Sequence, residues 1–182
     1  MKPLILASGS PRRAKILRDL GVDFEIVKTE APEVSIPYDP VRTVTENARE
    51  KLHTAQQEGR AILTADTIVW FNNRIYGKPR DLDEAKEFLR ELSGQTHVVF
   101  TGVAFRAEDG AERTACVESR VTFRALSEEM IDDYVARVHP TDRAGAYDID
   151  ESGDLIVASY DGSYENIMGL PVEPLRDFGI LR

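Results

Sequence analysis

Two periods alternate along this chain. Leu4-Ile5-Leu6-Ala7 is a short apolar run of the kind that forms a buried strand. Ser10 and Pro11 follow as a helix N-cap and first helical residue. Ile16, Leu17 and Leu20 share one face of a helix over 11–20, and Gly21 predicts its C-cap. Phe24 to Val27 is a second short strand, followed by a proline-punctuated loop from Thr29 to Pro40. Asp39-Pro40 opens a longer helix with Val41, Val44, Ala48, Leu52 and Ala55 inward and Lys51 at the edge of that stripe. Ala61 to Phe71 is long and apolar enough for a central strand, and Asn72-Asn73 turns it back into Arg74 to Tyr76. Asp81 and Glu84 resemble a capping box ahead of Ala85, Phe88, Leu89 and Leu92, and Gly94 ends that helix. Val98 to Phe105 pairs through the Glu108-Asp109-Gly110 turn with a strand in which Val117, Ser119, Val121 and Phe123 alternate with polar positions. Ser127 caps a last helix carrying Ile131, Tyr134, Val135 and Val138, which His139-Pro140 ends, and one more strand is predicted near Leu155 to Ser159.

Helices interspersed with both βα and hairpin connections predict an α/β fold, a single domain over 1–182 with a mixed β-sheet flanked by helices. Neither a repeat nor a linker interrupts it. The 182 residues are 42% hydrophobic and 30% charged, a globular composition with enough length for a sizeable core. A net charge of −9 argues against nucleic acid as a partner, since such binders carry a basic stripe. The N-terminus lacks the apolar core of a signal peptide and no run approaches a membrane span, so no membrane association and a cytoplasmic location are expected. The lone Cys116 fits a reducing compartment and reads as an inert thiol on the polar side of its strand.

Ser8-Gly9-Ser10-Pro11-Arg12-Arg13 joins a strand to a helix N-terminus, where backbone N–H groups are free for an anion. Cations in a first turn are locally unfavourable by roughly 0.3–1 kcal/mol each, a penalty that a bound phosphate reverses. Arg13 is then expected to serve the ligand rather than the fold; an ordinary capped helix with two solvated arginines fits the same spacing. Asp66 is isolated among apolar residues and must meet a cation or several donors. It is either an aspartate bonded to backbone at a strand bend, or a metal ligand or general base at a cleft floor. Glu33, Lys51 and Lys78 are by default solvated surface charges. His53, His97 and His139 show no metal-ligand spacing, and Trp70 reads as core.

The ordered set Ser8 to Arg13, Glu33, Lys51, Ala65-Asp66-Thr67, Gly77-Lys78-Pro79, Leu92-Ser93-Gly94, Thr101-Gly102-Val103, Ala144-Gly145-Ala146-Tyr147 and Gly162-Ser163-Tyr164…Gly169-Leu170-Pro171 resembles the Maf family of nucleoside triphosphate pyrophosphatases over nearly the whole chain. The resemblance implies a cleft in an inosine triphosphatase-like α/β fold. It also implies hydrolysis of a nucleoside triphosphate to monophosphate and pyrophosphate. By this resemblance Asp66 is the proton acceptor, Glu33 and Asp66 hold magnesium or manganese, and Lys51 and Lys78 join Arg12 and Arg13 against the triphosphate. Ser8 and Ser10 contribute to substrate binding, and a homodimer is common among such proteins. The family usually has an acid where this chain has Pro32, and Glu30 is the nearest substitute.

Arg12 and Thr67 resemble the dTTP/UTP branch, which places a glutamine where this chain has Asp150. An ionised aspartate accepts but does not donate, which suits paired guanine donors better than a pyrimidine edge. Asp150 therefore motivates an alternative of the same chemistry on a modified or purine nucleotide such as 7-methyl-GTP. A second alternative is a non-catalytic nucleotide-binding regulator of septum formation.

Overall fold

A computed structural model describes residues 2–55 and 57–181. β1 (Leu4–Leu6) lies between β2 (Phe24–Ile26) and β3 (Ile62–Phe71), parallel to both. β5 (Thr96–Arg106) runs antiparallel to β3, β6 (Glu112–Phe123) to β5, and β7 (Val157–Asp161) to β6. With β4 (Arg74–Tyr76) folded back on the end of β3, these make one mixed seven-stranded sheet. The predicted α/β architecture is thus the one observed. Asn72 and Asn73 both take positive φ, as a tight hairpin between β3 and β4 requires.

Among the described residues six α-helices cover the sheet: α1 (Pro11–Asp19), α2 (Pro40–Thr54), α3 (Leu82–Leu92), α4 (Glu128–Val138) and the short α5 (Tyr164–Met168) and α6 (Glu173–Asp177). Asp39, Asp81 and Ser127 each accept a backbone N–H three residues on, as their sequence positions predict. Ser10 occupies the N-cap of α1 without a side-chain cap bond. Glu84 does not close a capping box on Asp81; it accepts the Arg80 N–H one residue earlier, at 2.6 Å.

Two stripes are narrower than their periodicity suggests. Leu20 is 37% exposed because α1 ends at Asp19, where Gly21 N–H bonds Arg18 O and Val22 N–H bonds Leu17 O in a Schellman turn. Val41 is 46% exposed, since it precedes the point at which α2 meets the sheet at Val44. The last strand begins at Val157; Leu155 belongs to a 3-10 turn instead. Cys116 packs, half-buried, against Val44, Ile68 and Phe100 and not on a polar side. Burial there, with Glu118 nearby, pushes its thiol up to about 11, which keeps it inert.

Alternation along β3 assigns its two faces. Ile62, Thr64, Asp66 and Ile68 face α2, where Ala48, Leu52 and Val44 pack and the Thr64 hydroxyl donates to Ala48 O. Leu63 and Ala65 face α1, with Leu17, Met168 and Leu170, and Val69 joins the α3–α4 core further along. β1 is short: its pairing with β3 ends at Leu63, and β4 takes up β3 only at Val69. The edge of β3 between them has no strand neighbour on that side among the described residues. A cleft opens at this interruption, level with Asp66 and Thr67.

Candidate active site

The cleft holds about 330 Å³ and is bounded by the loop after β1, the start of α1, the open stretch of β3, and the turns around Lys78 and 142–147. Ser8, Ser10, Arg12, Arg13, Glu33, Lys51, Asp66, Thr67 and Lys78 all line it. Residues spread from position 8 to 78 therefore converge on one cavity.

Asp66 is 6% exposed and both its oxygens are engaged. Lys51 Nζ lies 2.7 Å from Oδ1, and Asn47 Nδ2 donates to Oδ2 at 3.0 Å. Lys51 also pairs with Glu33 Oε1 at 2.8 Å, so one ammonium joins both carboxylates. Burial raises the Glu33 carboxyl, but the Lys51 hydrogen bond and charge, helped by Lys78 and Arg13, outweigh it and leave it below the usual range. Of the two readings open for Asp66, the aspartate bonded to backbone is not the one observed, because its partners are side chains.

What lets α2 deliver those partners is Gly102 on β5, the cross-strand neighbour of Asp66. A Cβ at Gly102 would stand 2.4 Å from Val44 O, so the α2 backbone lies directly on the glycine. One turn further along α2 comes Asn47, and one turn further again Lys51.

Arg13 departs from the expectation that it serves the ligand alone. Its guanidinium donates Nε–H to Gly169 O at 2.8 Å, and its terminal nitrogens to Ser8 Oγ and Thr67 Oγ1, each at 3.1 Å. It thereby ties α1 to β3 and to the C-terminal end of α5. Gly169 closes α5 at φ 107°, a conformation suited to glycine, and a Cβ there would press on Thr67 and Arg13. Burial pulls the Arg13 guanidinium down to about 10, with Asp66 opposing and Arg12 adding to it, and it remains a cation at neutral pH. Ser8 also accepts the Ser10 N–H at 3.2 Å, so its hydroxyl folds the loop on itself. Thr67 is likewise committed, to Arg13 and to the Thr101 hydroxyl at 2.9 Å.

Arg12 turns the other way. It donates to the carboxylate and carbonyl of Asp142 at 3.4 and 3.2 Å and lies 3.8 Å from Asp148. Asp148, 6% exposed, also takes Arg143 Nε at 3.2 Å, so one buried carboxylate serves two arginines at the rim. Lys78 is exposed beside its glycine neighbour, whose carbonyl accepts Gly145 N–H at 3.1 Å.

Asp150 is not brought into the cleft. Its carboxylate accepts from Tyr164 OH at 3.0 Å and pairs with Lys15 at 3.7 Å, outside the cavity wall. Glu30 is exposed and also lies off the cavity lining. Asn47 and Asp148 are the residues that sequence patterns passed over, and Gly102 stood only as part of the Thr101-Gly102-Val103 block, with no role given to it. For Asn47 a signal exists, since Thr43, Asn47 and Lys51 form a polar row at four-residue spacing beside the apolar stripe of α2.

Among the described residues no three His, Cys, Asp or Glu side chains form a complete metal cage. Two carboxylates within reach of one ammonium do suit magnesium or manganese, which bind a few carboxylates and complete their shell with phosphate oxygens and water.

The model of the Maf family, described as Maf-like protein, matches residues 3–178. A dTTP/UTP pyrophosphatase of Bacillus cereus is 44% identical over 178 residues, 96% of this chain and 87% of the relative. One of Thermosipho melanesiensis is 38% identical over 174 residues, 96% of this chain and 94% of the relative. A solved HAM1 protein of Coxiella burnetii superposes on 69% of the chain, and 75% of its own, with TM-score 0.47 at 19% identity. By the reach of the family model and the identity of these relatives, this chain belongs to the Maf family.

Proposed function

We propose that the chain hydrolyses a nucleoside triphosphate, with dTTP and UTP as the favoured substrates, to the monophosphate and pyrophosphate. The observation that carries this reading is the Glu33–Lys51–Asp66 cluster at the floor of a cleft whose opposite wall is the N-terminus of α1. The relatives' names point to the same chemistry and to the pyrimidine substrates.

In this scheme the free N–H groups of the first turn of α1, with Arg12, receive phosphate oxygens. Lys51 and Lys78 add charge where the leaving pyrophosphate accumulates it. Asp66 accepts the proton of a water whose oxygen attacks a phosphorus of the α–β anhydride as the bridging P–O bond breaks. Glu33 and Asp66 would hold the divalent ion, which supplies charge neutralisation and polarises phosphate oxygens when bound. The apolar wall of Val69, Val99, Ala144, Tyr147, Ile167 and Met168 offers the base a dry surface. The purine alternative has less support, since the residue that motivates it, Asp150, is bonded to Tyr164 and paired with Lys15 and does not line the cavity.

Pyrophosphate release from a panel of natural and modified nucleoside triphosphates tests the reading. Fastest release from dTTP and UTP in the presence of magnesium is expected. No release from any member would overturn it.

A further inference from the structure

The segment carrying Glu33 has no helix or strand of its own, yet Glu33 must stand beside an aspartate fixed in the middle of a sheet. Three side chains of α2 meet this segment in order. Thr43 accepts the Ile36 N–H at 3.0 Å, and Lys51 takes Glu33 itself. Asn47, between them, is 3% exposed and bonded three ways. Its Oδ1 accepts the Val34 N–H at 2.8 Å, and its Nδ2 donates to Val34 O at 2.9 Å and to Asp66 Oδ2 at 3.0 Å. Both amide hydrogens are thus spent, one on the residue next to Glu33 and one on Asp66. Reversing the amide would set donors against the Val34 N–H and a carbonyl against a carboxylate, so only one orientation fits.

On the reading above, in which Glu33 and Asp66 are the working carboxylates, we propose that Asn47 is the positioning residue that sets them as a pair. Lys51 also joins them, but through a flexible stem and a point charge that phosphate oxygens compete for. Asn47 is short, buried and neutral, and phosphate has no claim on it. When Lys51 turns towards a bound triphosphate, Asn47 keeps the Glu33 segment in register with Asp66. The Thr43 bond alone holds Ile36, two residues past Val34, and makes no contact with Asp66.

Two substitutions separate this role from simple packing. Asn47→Ala removes all three bonds, whereas Asn47→Asp keeps an acceptor for the Val34 N–H and loses both donations. In Asn47→Ala, kcat for UTP should fall by roughly 10- to 100-fold with a smaller change in KM, as expected when transition-state geometry and not uniform binding is lost. The loss should shrink to less than about threefold in a Glu33→Ala background, because neighbours in one network do not act additively. Amide hydrogen exchange, read without turnover, should show Val34 exposed in Asn47→Ala but still protected in Asn47→Asp, while both variants lose kcat. Losses that simply multiply in the Glu33→Ala background, or wild-type kcat in Asn47→Asp, would overturn the proposal while leaving the activity standing. A wild-type protein that releases no pyrophosphate from any nucleotide would overturn the reading of the site, and this role with it.

Discussion

Asp66 and Gly102 are cross-strand partners, and the carboxylate of the first is reached by α2 only because the second has no side chain. Gly102→Ala should therefore cost more than an ordinary glycine substitution in a strand. A methyl 2.4 Å from the Val44 carbonyl forces α2 outward, at roughly 1–3 kcal/mol for overpacking. Lys51 and Asn47 would move off Asp66 with it. Thermal melts and kcat should fall together; unchanged activity would show that α2 adjusts without moving its polar row.

Asp66→Asn keeps the volume and removes the charge. Turnover should drop by about 10²- to 10⁴-fold, the scale of a lost general base. The fold should survive, since the volume is kept and the amide oxygen still accepts from Lys51 or Asn47, although the other donor is left facing an NH2 group. Near wild-type pyrophosphate release from a folded variant would remove Asp66 as the proton acceptor.

Arg13→Ala leaves Gly169 O, Ser8 Oγ and Thr67 Oγ1 without their donor. A loss of roughly 1–3 kcal/mol is expected, visible as a lower melting temperature without nucleotide. Arg13→Lys keeps the charge but not the three-point fork and should recover little of it. Equal melts for Arg13→Ala and wild type would return Arg13 to a purely ligand-binding role.

Asp150→Gln should leave the ratio of kcat/KM for UTP and GTP unchanged, because Asp150 is held by Tyr164 and Lys15 outside the cavity. Asp142→Asn should change it, since Asp142 lines the cleft and orients Arg12. The reverse outcome would place Asp150 at the base.

His97 is 1% exposed, bonded through Nε2 to Tyr147 OH at 2.8 Å, and burial pushes its imidazole from 6.5 down to about 3. Between those values the unfolded chain binds a proton there that the folded chain does not. His97 therefore favours the folded state fully above pH 6.5, and that contribution is lost as pH falls towards 3, by at most about 1.4 kcal/mol per pH unit. His97→Gln should flatten the fall in melting temperature between pH 7 and pH 4. Parallel curves for the two proteins would locate acid sensitivity elsewhere.

Most of the architecture was legible in the chain. Strand and helix periods, the Asn72-Asn73 turn and the caps Asp39, Asp81 and Ser127 are local signals, and local signals survive folding. The loop after β1, Asp66 and Lys51 stood out because each breaks a pattern: cations where a dipole opposes them, a charge inside an apolar run, a lysine beside a buried stripe. The contacts of Arg13 with Gly169 and of Asp150 with Tyr164 span 156 and 14 residues, and no spacing encodes them. Asn47 was passed over since a single buried amide resembles any helix-surface asparagine until Val34 and Asp66 are placed around it.

Because β1 stops at Leu6, the cavity is reached from both sides of the sheet, and the neighbours Asp66 and Thr67 enter it from opposite faces. The first is wired to α2 and the second to α1 and β5. The β3 backbone thus separates the hydrogen-bonded supports of the two halves, while charge still couples them, since Asp66 and Glu33 act on Arg13. A protein engineer varying Arg12, Thr67 and Asp142 together would be rebuilding one room while the hydrogen bonds of Asp66 to Lys51 and Asn47 in the other stay in place.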